Sequence, residues 1–187
     1  IKDQAGRYHY IIAAEGLRVG HKIVSSDEGA LDTGNRLALK NIAVGTNIYS
    51  VELQPGKGAQ IARSAGNGAQ LIAKDDEWAQ IKMPSGEVRQ VSVECMAHVG
   101  IVGNAQHQNV KIGKAGRNRK LGKRPTVRGV VMNAVDHPHG GGDGGRHRMA
   151  KAPRTPWGQK TLGFKTRRRK DTSKYIIKSR HQAKRRG

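Results

Sequence analysis

The positive charge of this chain is confined to its last 77 residues, and that asymmetry restricts what each part can fold into. Residues 1–110 contain 11 Lys and Arg and 11 Asp and Glu, so they carry no net charge. Residues 111–187 contain 24 Lys and Arg and 3 Asp, which places the whole net charge of +21 there. Only 10 of these 77 residues are Leu, Ile, Val or Phe, about 13%, below the roughly 20% at which high net charge predicts disorder. We therefore expect a neutral globular part followed by a basic extension that cannot bury a core of its own.

The most densely charged stretch runs from Gly113 to Gly145 and combines cations with glycine. It contains nine glycines, and six of its cations lie within twelve residues. These cations are Arg117, Arg119, Lys120, Lys123, Arg124 and Arg128. Cations bind phosphate at close range, and glycine lets a backbone approach another surface closely. The stretch therefore predicts a segment that a nucleic acid orders.

Residues 35–110 have the pattern of a small β domain. Short apolar runs recur about every ten residues, and turn residues separate them. The predicted strands are RLALKNI (36–42), TNIYSVEL (46–53), AQLIAKD (69–75), EWAQIKM (77–83) and EVRQVSVE (87–94). In the fourth of these, Trp78, Ile81 and Met83 compete for the inner face. Short strands with evenly spaced turns favour an all-β barrel or sandwich.

The segments on either side of this domain carry weaker signals. Residues 8–13 and 22–24 predict two short strands, which are too few to close a core. Asn109–Gly122 predicts one short helix or none. The chain begins with Ile1 rather than Met, so we expect an N-terminal part to be missing through processing, a split gene or disorder.

Two absences in the sequence limit the class of protein. Cys95 is the only cysteine, so no intrachain disulfide can form, and a reducing compartment is expected. No apolar run approaches the roughly 18–20 residues that span a bilayer, so no membrane partner is expected.

A family resemblance is carried by GKRPTVRGVVMNAVDHPHGGGDGG (122–145), which is followed by TPWG at 155–158. These residues resemble the bacterial-type protein two family of the large ribosomal subunit. GKGAQIARSAG (56–66), PSGEVR (84–89) and VGN (102–104) also match, so the resemblance covers nearly the whole chain. The chain departs from the family at Ala134, which is usually Pro, and at Asp143, which is usually Glu.

The resemblance implies a fold, a domain division and a function. It implies a mainly β protein with an SH3-like barrel at 35–110. The last strands of an OB-type barrel and a linker would precede the barrel at 1–34, and a basic, glycine-rich rRNA-binding extension would follow it at 111–187. It also implies a non-enzymatic constituent of the large subunit, which binds large-subunit rRNA, supports the region near the peptidyl transferase centre and assists subunit association.

Candidate RNA-binding residues fall in the barrel and in the extension. Lys57 and Arg63 lie on a glycine-rich turn and the strand after it, where they suit contacts with phosphate or a base edge. The alternative is a tight hairpin with solvated cations, and the resemblance favours RNA contact by Arg63. Beyond the six cations above, the predicted RNA-binding residues are His137, His139, Arg146, Trp157, Arg167, Arg168 and Arg169. Trp157, Phe164 and Tyr175 are expected to stack on splayed bases or sugars. Three aromatics in 77 residues are few, so phosphate contact should dominate.

The Asp136-His137-Pro138-His139 sequence permits other interpretations. A carboxylate beside an imidazole can act as a general base, but these residues lie among glycines and cations rather than on a rigid scaffold. The resemblance places Asp136 and His137 near the peptidyl transferase centre, in support of rRNA geometry. A purely structural knot, with Pro138 fixing a turn, is the remaining alternative.

A zinc site is a further interpretation of the histidines at 137, 139 and 147 and of Cys95 and His98, which have C-x2-H spacing. Structural zinc takes four ligands, usually as two close pairs, and one cysteine does not make such a set. No metal site and no cofactor are expected, apart from Mg²⁺ bound to rRNA.

The expected partners are large-subunit rRNA, neighbouring ribosomal proteins, the small subunit at the intersubunit face and a separate N-terminal part of the same protein. The expected location is the ribosome of a bacterial cytoplasm, a mitochondrion or a plastid. Two other functions stay open at this point: direct acid/base participation of Asp136 and His137 in peptidyl transfer, and general architectural binding of nucleic acid.

Overall fold

The computed structural model describes residues 1–142 and 151–183, which form mainly β structure. Seven short strands make one sheet: β1 Arg36–Ala38, β2 Asn47–Tyr49, β3 Ala69–Lys74, β4 Trp78–Lys82, β5 Val88–Ser92, β6 Met96–Val99 and β7 Ile176–Lys178. Their order is β1-β6-β2-β3-β4-β5-β7, and every neighbouring pair is antiparallel. The prediction of a mainly β protein is confirmed, and β1 to β6 are consistent with an SH3-like barrel.

Helical structure is sparse among these residues. The two α-helices are α1 Ala115–Lys120 and α2 Arg180–Ala183. Short 3-10 turns lie at Leu39–Asn41, Ala105–Asn109, Gly129–Val131 and Asp171–Tyr175. Within the described ranges, no helix combines the length and the apolar character needed to cross a membrane.

The main apolar core is built from alternate residues of the strands, because alternate side chains of a strand point to the same face. In β3 these are Ala69 and Leu71, and in β4 they are Ala79 and Ile81. Trp78 therefore lies on the face opposite Ile81, so these two do not compete for the inner face as the sequence suggested. The other buried members are Leu37, Leu39, Ile42, Ile48, Val51, Val91, Val93, Cys95, Ala97 and Val99.

The segment before β1 packs on the other face of the sheet as irregular chain. The predicted strands 8–13 and 22–24 are not formed, and isolated backbone bridges join Ala14 to Val102 and Ser25 to Arg36 instead. Ala14, Val102 and Tyr49 form a second small core, and the Tyr49 hydroxyl donates to the carbonyl of Ile12. Of residues 8–13, only Tyr8 pairs, in an isolated bridge with Lys2.

The chain divides into two compact units, one of Ile1–Val110 with Asp171–Gly187 and one of Lys111–Lys170. Four of the predicted strands contain observed strands that differ from them by one to five residues in length, whereas the first ends after three residues in a 3-10 turn. The short helix allowed for 109–122 is α1. Strands β6 and β7 were not predicted.

Candidate nucleic-acid interface

A buried carboxylate organises the glycine-rich loop between β2 and β3. Glu52 is 1% exposed, and its Oε1 accepts hydrogen bonds from Nη2 of Arg36 (2.8 Å) and the backbone N–H of Gly58 (3.1 Å). Its Oε2 accepts from the backbone N–H groups of Gly56 (3.2 Å) and Met96 (3.1 Å). Burial alone would raise the pKa of Glu52, but the two Oε2 bonds and the Arg36 charge bring it below the usual range. The loop is thereby fixed to the barrel.

This loop presents the two predicted RNA-binding cations of the barrel to solvent. Lys57 is exposed on the turn that Glu52 holds, and its Nζ donates to Oε1 of Gln54 (3.3 Å). Arg63 is exposed directly after Ala62, a non-glycine residue with φ of +53°. The backbone N–H of Ser50 donates to the carbonyl of Ala62 (2.9 Å), which fixes where Arg63 leaves the barrel. Both cations are therefore available on one anchored loop.

The six clustered cations of the extension are all exposed. Arg117, Arg119 and Lys120 lie on α1, which buries no residue, and Lys123, Arg124 and Arg128 follow it in irregular chain. Among the described residues, none of the six forms a salt bridge with a carboxylate. The three cations of α1 lie in its last turn, where the helix dipole favours positive charge. This surface lacks internal neutralisation and suits a polyanion.

The two histidines of the Asp-His-Pro-His sequence are buried in a compact loop, residues 129–141, which we call the knot. His137 and His139 are each 7% exposed, and their ring centroids are 4.9 Å apart. The backbone N–H of His139 donates to Nδ1 of His137 (3.0 Å), and the backbone N–H of Arg154 donates to Nε2 of His139 (2.9 Å). The N–H of Gly140 donates to the carbonyl of His137 (2.8 Å) and that of Gly141 to Met132 (3.1 Å). Each imidazole thus acts as an acceptor that fixes backbone.

Close backbone packing makes glycine necessary at two positions of this knot. A Cβ at Gly129 would overlap the His137 ring, and a Cβ at Gly140 would overlap the carbonyl group of Asn133. These two positions therefore have no room for a side chain.

This geometry bears on the acid/base interpretation of Asp136 and His137. Asp136 is exposed, and within the described part of the chain no hydrogen bond or ion pair joins its carboxylate to His137. A ring nitrogen that accepts a backbone N–H cannot at the same time take a proton from a substrate. Nδ1 of His137 is occupied in this way, so the pair lacks the arrangement of an oriented base.

The zinc interpretation meets a geometric obstacle in the barrel. Cys95 belongs to the main core. His98 lies on the opposite face of the sheet, in β6, where its ring centroid is 5.1 Å from that of Tyr49. Burial, with the Glu52 charge, raises the pKa of the Cys95 thiol to about 11, so it stays protonated and is a poor metal ligand. Over residues 1–142 and 151–183, no group of three or more His, Cys, Asp and Glu is arranged to hold a metal ion. His147 lies outside these residues.

Trp157 stands at the tip of a tight turn. Arg154 and Lys160 form an isolated antiparallel bridge, and the N–H of Gly158 donates to the carbonyl of Thr155 (2.9 Å). Nη1 of Arg154 donates to the carbonyl of Gly158 (3.1 Å), which ties the turn together. Trp157 is 89% exposed, so its indole is available for stacking. Arg167, Arg168 and Arg169 are exposed further along the chain, and Arg146 lies outside the described residues.

Sequence reasoning missed two residues that position this surface. Glu52 acts through partners up to 44 residues away, and no local pattern predicts that. Arg154 connects the knot to the Trp157 turn through its own backbone N–H. Tyr175, which the sequence offered as a stacking residue for RNA, packs against Trp78 with ring centroids 5.8 Å apart.

Substitution of Gly140 by alanine is expected to open the knot. Forcing a methyl group against the Asn133 carbonyl costs about 1–3 kcal/mol, which corresponds to roughly ten- to hundredfold faster amide exchange at His139 and Arg154. Hydrogen exchange on the full chain measures this effect. Gly116→Ala is the matched control, because a Cβ there meets nothing within 4 Å. Unchanged protection at His139 in Gly140→Ala would contradict the packing described.

Comparison with known proteins agrees with these features. Residues 32–158 match the family model for the C-terminal domain of ribosomal proteins L2. The large ribosomal subunit protein uL2 of Maricaulis maris (strain MCS10) is 53% identical over 190 residues. That alignment covers 100% of this chain and 66% of the relative's length. The chain therefore belongs to the bacterial-type L2 family of ribosomal proteins.

Proposed function

We propose that the chain is a non-enzymatic structural component of the large ribosomal subunit and that it acts by binding large-subunit rRNA. The observation that carries the proposal is the exposed cluster of six cations at 117–128, which forms no salt bridge with any carboxylate of residues 1–142 and 151–183. A surface of this sign and density binds a polyphosphate backbone. Lys57 and Arg63 add a second contact from the anchored barrel loop, and Trp157 adds a stacking surface.

The knot supports a finer proposal about where the extension acts. Its buried imidazoles accept hydrogen bonds from backbone N–H groups instead of facing solvent. They therefore maintain the shape of a loop that can pack against folded RNA. We assign Asp136 and His137 to support of the rRNA near the peptidyl transferase centre. The role is one of positioning, because the two imidazoles accept hydrogen bonds from the backbone N–H groups of His139 and Arg154.

The wider partners follow from this placement. A component that lies on rRNA near that centre also contacts neighbouring ribosomal proteins and, at the intersubunit face, the small subunit. A separate N-terminal part of the same protein is a further proposed partner. The location is the ribosome, in a bacterial cytoplasm or an organelle, and Mg²⁺ enters only as an ion bound to rRNA.

Substitution of His137 by asparagine separates the positioning role from a chemical one. The amide oxygen of Asn can take the place of Nδ1 as acceptor for the His139 N–H, but it cannot carry a proton between substrates. We expect purified, fully assembled mutant particles to keep peptidyl transfer to puromycin within about tenfold of wild type, with a reduced assembly yield as the main defect. An acid/base residue would instead cost roughly 10²–10⁴-fold in the chemical step.

His137→Gln is the matched control, because its longer side chain moves the amide away from the Nδ1 position. It should reduce assembly more than asparagine does. Normal assembly with a thousandfold slower single-turnover transfer in His137→Asn would overturn the positioning role and assign chemistry to this residue.

A further inference from the structure

The last described part of the chain returns to the barrel and extends its sheet. β7 pairs antiparallel with β5, with Val88 opposite Lys178 and Arg89 opposite Ile176. Just before β7, the Tyr175 ring packs against the Trp78 ring, with centroids 5.8 Å apart and planes tilted by 39°. We call residues 175–178, with Trp78 and residues 88–89, the clasp.

Because of the clasp, the basic segment is a loop attached to the first unit at both ends rather than a free tail. The chain leaves the first unit after Val110 and rejoins that same unit at Asp171. Residues 111–170 contain 18 Lys and Arg against two Asp, so most of the protein's excess charge lies between two anchored ends. A chain held at both ends has fewer conformations than one held at a single end.

We infer that the clasp positions residues 111–170 for RNA and increases RNA affinity without touching RNA itself, an inference that rests on the proposed function. RNA binding restricts the motion of the basic segment further and therefore loses conformational entropy. Part of that entropy is already lost when the clasp closes, so RNA binding costs less. The coupling is reciprocal, and bound RNA stabilises the clasp by the same factor.

The clasp can open without unfolding the barrel. All members of the two buried cores lie between Ala14 and Val102. Tyr175 and Ile176 are half-buried, whereas Ile177 is 49% exposed. A substitution in the clasp therefore removes a peripheral contact and leaves the core of the barrel in place.

The test uses the full chain and an in vitro transcript of bacterial large-subunit rRNA, with affinity measured from about 50 to 200 mM salt. Loss of one aromatic pair predicts about three- to tenfold weaker binding for Tyr175→Ala at every salt concentration. The slope of log K against log salt should be unchanged, because no phosphate contact is removed. A nuclear Overhauser contact between the Trp78 and Tyr175 rings reports clasp closure directly.

Three further variants serve as controls. Tyr175→Phe keeps the ring and should bind as wild type does. Tyr10→Ala removes a fully exposed tyrosine and should also have no effect. Ile176→Pro opens the clasp through the backbone of β7 and should weaken binding to the same extent as Tyr175→Ala.

The outcomes separate this inference from the proposed function. If the wild-type chain binds the transcript no better than duplex DNA, the proposed function is wrong. If wild type binds the transcript selectively and both clasp variants bind equally well, the clasp inference is wrong. A shallower salt slope in Tyr175→Ala would also overturn it, since the segment would then contact RNA directly.

Discussion

Substitution of Glu52 by alanine is expected to destabilise the barrel by about 2–4 kcal/mol, because the groups that donate to its buried carboxylate lose their acceptor. The change leaves the Arg36 guanidinium without its carboxylate, and three backbone N–H groups lose their acceptor. Buried donors without acceptors are expensive. Urea unfolding of the full chain, followed by circular dichroism, measures the loss.

Glu94→Ala is the matched control for this prediction. Glu94 also pairs with a cation, at 3.2 Å from Lys40, but the two side chains are 57% and 42% exposed. An exposed pair of this kind contributes about 0–1 kcal/mol. Equal destabilisation by the two alanine substitutions would show that the Glu52 bonds do not organise the barrel.

The free energy of unfolding should decrease in two steps as the pH falls, one due to His98 and one due to Glu52. Burial, with the Arg36 charge, lowers the pKa of His98 from 6.5 to about 4. Between pH 6.5 and pH 4, His98 is therefore protonated in the unfolded chain but not in the folded chain. The free energy of unfolding consequently decreases as the pH falls from 6.5 to 4. The folded pKa of Glu52 lies below its ordinary 4.5, so its contribution is present above 4.5 and is lost as pH falls through the lower folded value. Glu52→Gln should remove only this second decrease.

Local patterns were sufficient for most of the barrel strands but not for its ends. The sequence runs that form β3, β4 and β5 are bounded by turn residues. β3 and β4 each have two buried residues at alternate positions, and β5 has a single buried residue. β6 has only four residues and follows Cys95 without a clear turn signal. β7 is an apolar pair among cations, and it forms a strand because β5 has a free edge. Pairing of this kind depends on a distant neighbour, which a local pattern does not contain.

At the candidate site, too, some features follow from the local sequence and others depend on distant residues. Exposure of the six cations at 117–128 follows from their charge, because burying an unpaired cation is costly. The acceptor roles of His137 and His139 depend on backbone N–H groups, one of which lies at Arg154. The family resemblance pointed to these histidines, but their buried position, and with it the loss of an oriented Asp136–His137 pair, required the structure.

The largest expected effect is on the salt dependence of RNA binding. If residues 111–170 neutralise about ten phosphates, log K should fall against log salt with a slope of roughly −7 to −9. Between about 50 and 200 mM salt, affinity should then decrease by roughly 10⁴- to 10⁵-fold. Replacement of the six cations at 117–128 by glutamine should make the slope shallower by about 4–5, if each contacts one phosphate.

Charge substitution tests this better than truncation, because deletion of 111–187 would also remove β7 from the sheet. The control replaces three exposed cations of the first unit, Arg18, Lys22 and Lys82, by glutamine. The change in slope per charge should be about 0.7–0.9 for the cluster at 117–128 and close to zero for the control. Equal changes per charge would mean that RNA contacts the whole surface without preference. A chain that bound duplex DNA as tightly as rRNA, with the same slope, would be a general architectural binder, because phosphate contacts alone do not distinguish the two.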